Sequence, residues 1–337
     1  MTERILVVGA GAIGGVTAAH LTRAGFDITT VDRSSEHTTP LQHPGLLLEE
    51  PNGNTSTIPI RAVSEIDSLD GRYDFALVAV KSHALRAALA PLAARDMVDV
   101  YVSLGNGLVH DLIQSLVGHD RLIVGLVEWG ATNLGPGHLR QTTEAPMVVG
   151  EIDGARTFRL ERLRVILSSV TATSRMSSSI TGQVWSKLLL NSTFSGLGAA
   201  GGLLYSEVAA DPAGRELAFR LWTEGFDTAI GLGMELGEVF GVAPNELVVR
   251  GGDPRSAAEA ALDRLMTRAG PTKASMLQDL ERSRKTEVDV INGGVVAAAR
   301  SVGRAAPLNA ELTRIVHEHE SGLTQPSRDS FARLMEV

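Results

Sequence analysis

The sequence contains no cysteine, so disulfide bonds, thiolate zinc sites and thiol nucleophiles are all excluded. Apart from residues 5–21, it has no stretch that approaches the ~18 uncharged apolar residues of a membrane-spanning helix. Residues 5–21 carry no Asp, Glu, Lys or Arg, but Glu3 lies where a secretory leader would be basic. We therefore expect a cytoplasmic protein without a membrane segment.

Basic residues are too few to balance the acidic ones, because 31 Lys and Arg against 39 Asp and Glu give a net charge of −8. An acidic surface repels nucleic acid and anionic membranes, so neither is expected as a partner. The remaining composition, 44% hydrophobic and 21% charged, is typical of a globular protein. A chain of 337 residues predicts about two domains.

The first candidate site is a glycine-rich loop near the N-terminus. An apolar run over residues 4–8 predicts a buried parallel strand, and it leads directly into a G-x-G-x-x-G pattern. In this pattern the glycines provide a tight turn, an approach for a pyrophosphate and a close helix–strand contact. The free N–H groups of the helix that follows attract an anion. The sequence therefore predicts a dinucleotide-binding site at Gly9, Gly11, Ala12, Ile13 and Gly14.

Two residues after the second predicted strand bear on the choice of dinucleotide. The strand over residues 27–31 ends at Asp32, about eighteen residues past the third glycine, as such sites require. A carboxylate there binds the ribose 2′-hydroxyl of NAD and repels the 2′-phosphate of NADP. The next residue, Arg33, can pair with that phosphate. The residues alone thus leave both cofactors open.

Short apolar strands alternate with helix-length segments in the first half of the chain. Strands are predicted at 75–80, 98–104, 122–127, 147–150 and 171–176, and a helix at 82–94. Repeated β–α units imply a parallel sheet covered by helices, an α/β fold of the Rossmann type. From about residue 180 the spacing becomes helical throughout. We predict a dinucleotide-binding domain at 1–178 and an all-helical substrate domain at 179–337.

Polar residues follow two predicted strands at the edge of the sheet where ligands bind, namely Lys81 and Asn106. Further along, Lys187 and Asn191 are four residues apart, so on a helix they share a face. Leucines at 188–190 surround the lysine, and partial burial would suit it to proton donation near neutral pH. A lysine that lies along the edge of a helix with its amine in water is the alternative.

The last candidate segment lies near the C-terminus. Thr286 and Asp289 fit a capping box, which predicts that a helix begins at Thr286. Glu287 then lies in the first helical turn, where the helix dipole favours a carboxylate, and this alone would explain it. His317 and His319 are two residues apart and face different sides of a helix, so no metal site is predicted.

These segments together resemble the ketopantoate reductase family over most of the chain. The resemblance rests on the loop at 9–14, Asn-Gly at 106–107, Lys187 with Asn191, Ser-Met-Leu-Gln-Asp at 275–279, and Thr-Glu-Val-Asp with Ile-Asn-Gly at 286–293. It implies an N-terminal Rossmann domain, a helical C-terminal domain and a cleft between them. It also implies NADPH-dependent reduction of a 2-keto acid, with ketopantoate the leading substrate, in pantothenate biosynthesis. A homodimer is left open.

The resemblance implies a role for each matching residue in the second half. Lys187 is the implied general acid, which protonates the carbonyl oxygen as hydride reaches the carbon. Glu287 is implied to bind the oxygen functions of the substrate and to hold the lysine. Asn191 and Ser275 are implied to bind the substrate, with Ser275 near its carboxylate.

The resemblance also implies residues on the cofactor side. Lys81 and Asn106 would line the cofactor and the entrance for the substrate. The family uses NADPH, which agrees with Arg33 as the partner of the 2′-phosphate, whereas Asp32 alone would favour NAD. We therefore expect NADPH and keep NAD as the alternative.

One position departs from the family pattern. The family usually has a second asparagine four residues after the first, and Ser195 stands there. Because positions 187, 191 and 195 are successive four-residue steps, we expect all three on one face, with Ser195 binding substrate. A serine reaches less far than an asparagine, so another 2-keto acid or an opine-like compound is a rival substrate. A non-catalytic NAD(P)-binding regulatory protein is the rival of another class, and Lys187, Asn191 and Glu287 argue against it.

Overall fold

The computed structural model describes residues 3–251 and 255–337. The backbone divides into two compact units. The first unit is formed by Met1–Gly105 and Val109–Ile180, and the second by Asn106–Leu108 and Thr181–Val337. The short segment Asn106–Leu108 therefore groups with the second half of the chain, although it directly follows strands of the first.

The first unit combines short strands with helices. Its strands are β1 Arg4–Val8, β2 Asp27–Val31, β3 Leu46–Glu49, β4 Thr55–Ile58, β5 Arg61–Val63, β6 Tyr73–Val78, β7 Val98–Ser103, β8 Leu122–Val127, β9 Ala131–Gly135, β10 His138–Gln141, β11 Met147–Gly150 and β12 Ser174–Met176. Its helices are α1 Ala12–Arg23, α2 Ser35–Pro40, α3 Leu85–Ala94, α4 His110–Val117 and α5 Phe158–Leu167.

An eight-stranded sheet forms the core of this unit, in the order β12-β11-β8-β7-β6-β1-β2-β5. The six strands from β8 to β5 are parallel, whereas β11 is antiparallel to β8. The central β1 pairs with β2 on one side and β6 on the other, so the direction of chain winding reverses there. Ligands of open α/β sheets bind at the carboxyl ends of strands at such a point. The glycine-rich loop begins there.

A second sheet of four strands, in the order β4-β3-β10-β9, was not predicted from the sequence. Helix α1 lies against it so closely that a Cβ on Gly15 would be 2.4 Å from the Cδ1 of Leu139 in β10. The buried His20 of α1 also lies 3.0 Å from the side-chain oxygen of Gln141. The second sheet therefore fixes the helix that follows the glycine-rich loop.

The second unit is helical in its described residues. Its helices are α6 Ile180–Leu190, α7 Gly196–Gly201, α8 Tyr205–Ala210, α9 Pro212–Gly231, α10 Arg255–Ala269, α11 Ser275–Glu281, α12 Asn292–Ser301, α13 Pro307–Glu320 and α14 Asp329–Met335. The long helix α9 starts directly after Asp211, whose carboxylate accepts the N–H groups of Ala213 and Gly214 at 3.0 Å each. Phe194, Trp222 and Phe331 are buried in the core of the unit.

The observed strands match the predicted ones with small shifts. β8 and β11 have the predicted bounds, whereas β6 spans Tyr73–Val78 rather than 75–80 and β12 spans only Ser174–Met176. The predicted helix at 82–94 begins with a 3₁₀ turn at Ser82–Ala84 before α3. Within residues 3–251 and 255–337, no helix combines the length and the apolar character that crossing a membrane requires.

Candidate active site

The three glycines of the N-terminal loop are required for three different reasons. Gly9 has φ +94°, and a Cβ there would lie 2.7 Å from the Cγ1 of Val80. A Cβ on Gly14 would lie 1.9 Å from the carbonyl oxygen of Gly9, so the start of α1 packs directly on the loop. A Cβ on Gly11 would meet no heavy atom within 4 Å. The loop is thus tight at its two ends and open in the middle, which fits a pyrophosphate at Gly11.

The peptide between the first two glycines is held from both sides. The side chain of Asp32 accepts the N–H of Ala10 at 2.9 Å and, through its other oxygen, the N–H of Ser34 at 3.0 Å. The buried ring of His37 lies with Nε2 2.6 Å from the carbonyl oxygen of Ala10. Gly137 donates its N–H to the Nδ1 of this ring at 3.1 Å, so Nε2 carries the proton and donates. Asp32 and His37 therefore set the shape of the loop.

His37 was missed by sequence reasoning, because an isolated histidine gives no motif signal. Of the other residues predicted for the cofactor, Lys81 follows β6 and is half-buried, and Arg33 is exposed. Arg33 has neither a hydrogen bond nor an ion pair with the described part of the chain. Its guanidinium group can therefore turn towards a phosphate without breaking another contact.

In the second unit, Lys187 lies on α6 and Asn191 directly after its end, and both are half-buried. Residues Asn191–Ser195 form a π-helical turn. This π-turn carries Asn191 at its first position and Ser195 at its last. π-Turns of this kind are frequent at functional sites.

Ser195, at the end of the π-turn, is buried, whereas Lys187 and Asn191 are half-buried. It is 2% exposed, and its hydroxyl lies 2.6 Å from that of Tyr205. Burial raises the pKa of Tyr205 to about 12, so the phenol stays protonated and the pair stays hydrogen-bonded at neutral pH. The expectation that Ser195 binds substrate together with the other two residues stays a prediction, and the burial of its hydroxyl against Tyr205 argues against it.

The segment that carries Glu287 also differs from its prediction. The helix expected to begin at Thr286 begins at Asn292 instead. The hydroxyl of Thr286 accepts the N–H of Val288 at 3.2 Å, and the carbonyl of Glu287 accepts N–H groups at 3.1 Å from residues 290 and 291. These bonds close a turn over residues 286–291 in place of a first helical turn. We refer to residues 286–291 as the Glu287 turn.

Helix α13 anchors the Glu287 turn. The carboxylate of Glu320 accepts the N–H of Thr286 at 2.6 Å, and the ring of His317 lies 2.9 Å from Glu320 and 2.9 Å from Asp289. Burial opposes a charge on His317, but the hydrogen bonds to these two carboxylates raise the pKa of the imidazole. His317 therefore bridges two carboxylates beside Glu287.

Asn106 is held against the same turn. Leu108 donates its N–H to the carbonyl of Val290 at 2.9 Å. Gly107 has φ +73°, and a Cβ there would lie 2.4 Å from that carbonyl, so only glycine allows this approach. The Asn-Gly pair in the sequence is thus explained by contact with the Glu287 turn.

Ser275 is exposed at the first position of α11, and α11 packs against the π-turn. The second unit therefore brings four of the predicted side chains onto connected segments: Lys187, Asn191, Glu287 and Ser275, with Asn106 beside the Glu287 turn. The roles assigned to these residues stay predictions. In the described residues, no group of three His, Asp or Glu side chains is arranged to hold a metal ion.

Comparison with known families decides the identity of the chain. Residues 5–154 match the model described as ketopantoate reductase PanE/ApbA, and residues 179–320 match that of its C-terminal domain. The chain belongs to the ketopantoate reductase family. It is therefore an oxidoreductase, and the prediction of an α/β domain followed by a helical one is confirmed.

Individual relatives span the same length. The 2-dehydropantoate 2-reductase of Mesorhizobium japonicum is 30% identical over 330 residues, which cover 90% of this chain and 94% of the relative. The crystal structure of a PanE/ApbA family ketopantoate reductase from Ralstonia eutropha has a TM-score of 0.80 at 24% identity and covers 95% of this chain and 99% of its own.

A third similar structure is D-mandelate dehydrogenase with NADH and anilino(oxo)acetate. It has a TM-score of 0.82 at 22% identity and covers 95% of this chain and 99% of its own. At these identities the solved structures establish a shared fold. The family assignment itself supports NAD(P)H-dependent reduction of a 2-keto acid.

The glycine-rich loop generates a paired prediction. Gly11→Ala should fold as stably as the parent, because the backbone has an ordinary φ of −66° and the new methyl group meets open space. It should nevertheless weaken cofactor binding, since the methyl group occupies the approach of the pyrophosphate. Thermal unfolding and titration of NADPH fluorescence measure the two effects.

Gly14→Ala is the matched variant for this test. It adds the same methyl group three residues away, where it clashes with the carbonyl of Gly9, and should lower the melting temperature of the protein. Unchanged NADPH affinity in Gly11→Ala would mean that the loop is only a structural turn.

The burial of Ser195 generates a second prediction. Ser195→Ala should lower the free energy of unfolding by about 1 kcal/mol through loss of the bond to Tyr205. Ser195→Asn should cost about 1–3 kcal/mol, because it forces extra atoms into a packed interior. Urea unfolding checks both values, and Asn191→Ser, at a half-buried site, is the control. A fully stable Ser195→Asn variant with higher activity would show that position 195 does face the substrate.

Proposed function

We propose that this protein reduces ketopantoate, or a closely related 2-keto acid, to the 2-hydroxy acid with NADPH, and that Lys187 is the general acid. The observation that carries the proposal is the burial of Glu287. It is 4% exposed, and no helix begins at Thr286, so a capping charge no longer explains it. A carboxylate is seldom buried so fully without a specific partner.

The chemistry assigned to the second unit follows from charge. NADPH, when bound, supplies a hydride to the carbonyl carbon. Negative charge then builds on the carbonyl oxygen, and the proton of Lys187 neutralises it. Because Lys187 is half-buried, its amine can recover a proton from water after each turnover. Glu287 is assigned to bind the oxygen functions of the substrate and to hold this lysine in place.

The substrate is proposed to bind through polar side chains around this pair. Asn191 follows Lys187 at the end of α6, and Asn106 lies against the Glu287 turn. Ser275 is exposed at the start of α11 and is assigned to the carboxylate of the substrate. The burial of Ser195 against Tyr205 favours a structural role for this position over a direct contact with the substrate. This supports keeping ketopantoate as the leading substrate.

The preference for NADPH is proposed from the two residues after β2. Both carboxylate oxygens of Asp32 already accept backbone N–H groups, of Ala10 and Ser34. This favours a role for Asp32 in shaping the loop over one in reading the ribose. Arg33 is exposed and is the cation assigned to the 2′-phosphate. The glycine-rich loop would hold the pyrophosphate, with Lys81 at the neighbouring strand end.

The test of the reaction combines a substrate panel with one variant. The parent protein should reduce ketopantoate faster than pyruvate, 2-ketoisovalerate or phenylglyoxylate in matched assays. The oxidation of NADPH is followed by the loss of absorbance of its reduced nicotinamide. Lys187→Ala should lower kcat by roughly 10² to 10⁴-fold and leave NADPH affinity nearly unchanged.

Lys273→Ala is the matched control, because Lys273 is an exposed lysine of the same unit that pairs with Glu281 at 2.5 Å. It should keep the parent kcat. If Lys187→Ala retains more than half of the parent turnover, or if the parent reduces none of the four 2-keto acids, the proposed function is wrong.

The cofactor proposal has its own test. Arg33→Ala should raise the KM for NADPH by roughly tenfold or more through loss of a charge-assisted bond, and leave the KM for NADH nearly unchanged. Asp32→Ala should weaken both cofactors alike, because it releases the peptide of Ala10. Steady-state kinetics with each cofactor separate the two patterns. Equal changes for both cofactors in Arg33→Ala would favour NADH and a ribose contact by Asp32.

A further inference from the structure

The side chain of Asn292 joins two distant parts of the candidate site. Asn292 is fully buried at the start of α12. Its Nδ2 donates one hydrogen to the carbonyl of Ser192, at 2.8 Å, and the other to the Oδ1 of Asn309, at 2.9 Å. Ser192 lies in the π-turn that follows Lys187, 100 residues earlier in the chain.

The orientation of this amide is imposed by the half-buried carboxylate of Glu224. Glu224 accepts the backbone N–H of Leu308 at 2.9 Å and that of Asn309 at 3.1 Å. It also accepts the Nδ2 of Asn309 at 2.9 Å. A carboxylate only accepts, so Asn309 must turn its amide nitrogen to Glu224 and its oxygen to Asn292. Asn292 must then present its nitrogen, which leaves its second hydrogen for Ser192.

Neighbouring residues pack closely around the side-chain amide of Asn292. A Cβ on Gly196 would lie 3.1 Å from both amide atoms of Asn292 and 2.5 Å from the Cδ2 of Leu312. The glycine at the end of the π-turn therefore lets the amide approach the backbone. On the other side, the backbone of Asn292 continues directly from the Glu287 turn, which is closed by the carbonyl of Glu287.

We infer that Asn292 is a positioning residue that fixes the segment after Lys187 relative to the Glu287 turn. The inference rests on the proposed function, in which these two side chains act on one carbonyl. The backbone of Asn292 follows directly from the Glu287 turn and its side chain bonds the π-turn, so a single amide couples the positions of the two segments. Misplacement of reacting groups by about 1 Å can cost roughly 10²-fold in rate.

The test uses two variants that break the chain of hydrogen bonds at different links. Asn292→Ala removes the donor to Ser192, and Asn309→Ala removes the group that orients Asn292 without touching either turn. Both should lower kcat by roughly tenfold to 10²-fold while the KM for NADPH stays within about twofold. Both should also shift the pH at which kcat is half-maximal, because the surroundings of Lys187 change.

The control is Val208→Ala, a truncation of a fully buried side chain in α8 of the same unit. It should lower the melting temperature of the protein but leave kcat and its pH profile unchanged. If the asparagine variants behave like this control, well below their melting temperatures, Asn292 has only a structural role and the inference is overturned. If Asn292→Ala does not fold, Asn309→Ala decides by the same criteria. Failure of the proposed function is distinguishable, because Lys187→Ala would then keep its activity.

Discussion

The close approach of α1 to the end of β1 is the constraint on which the first unit depends. It requires glycine at 14, where a methyl group would overlap the carbonyl of Gly9, and again at 15, where it would meet Leu139. The approach aims the N–H groups at the start of α1 towards the open side of the loop, at Gly11. The second sheet and the bonds from Asp32 and His37 hold this arrangement in place. The chain's own contacts thus fix the shape of the loop, and such preorganisation lowers the ordering entropy that binding would cost.

The first unit depends on glycines, which have no side chain, whereas the second unit depends on hydrogen bonds made by polar side chains. Its key residues lie on segments that are irregular by helix standards, a π-turn and the Glu287 turn. Irregular backbone leaves N–H and C=O groups without the partners that a regular helix provides, and here side chains bind them. Asn292 donates to the carbonyl of Ser192, and Glu320 accepts the N–H of Thr286. The helices that pack against the two turns hold the residues of these turns in place.

The glycine-rich loop, the order of the Rossmann strands and the helical second half could be predicted because each has a local signal. A buried strand reads as an apolar run, and Gly9, Gly11 and Gly14 have a fixed spacing. The second sheet could not be predicted, because strands such as Thr55–Ile58 and His138–Gln141 are short and have little apolar character. Ser195 illustrates the limit within the site. Its spacing predicts a shared face with Lys187 and Asn191, but spacing does not reveal that its hydroxyl is buried against Tyr205.

The same limit applies to Asn292 and His37. Each acts through a partner far away in the chain, so its role depends on tertiary contacts that a single sequence does not reveal. Thr286 and Asp289 fit a capping box by spacing, yet the hydroxyl of Thr286 bonds locally and the helix starts later. Local sequence patterns therefore indicated the candidate segments, but not where each helix begins or which tertiary contacts its residues make.

Helix α13 contributes to both turns, although none of its residues was predicted to act in the reaction. Near its first turn it carries Asn309, which orients Asn292, and at its last turn it carries His317 and Glu320, which hold the Glu287 turn. Its 14 residues span about 21 Å at 1.5 Å per residue. A neutral-looking change on this helix can therefore impair two parts of the active site together. Under the proposed function, substitutions along α13 are constrained by the geometry of both turns, and not only by the packing of its own apolar face.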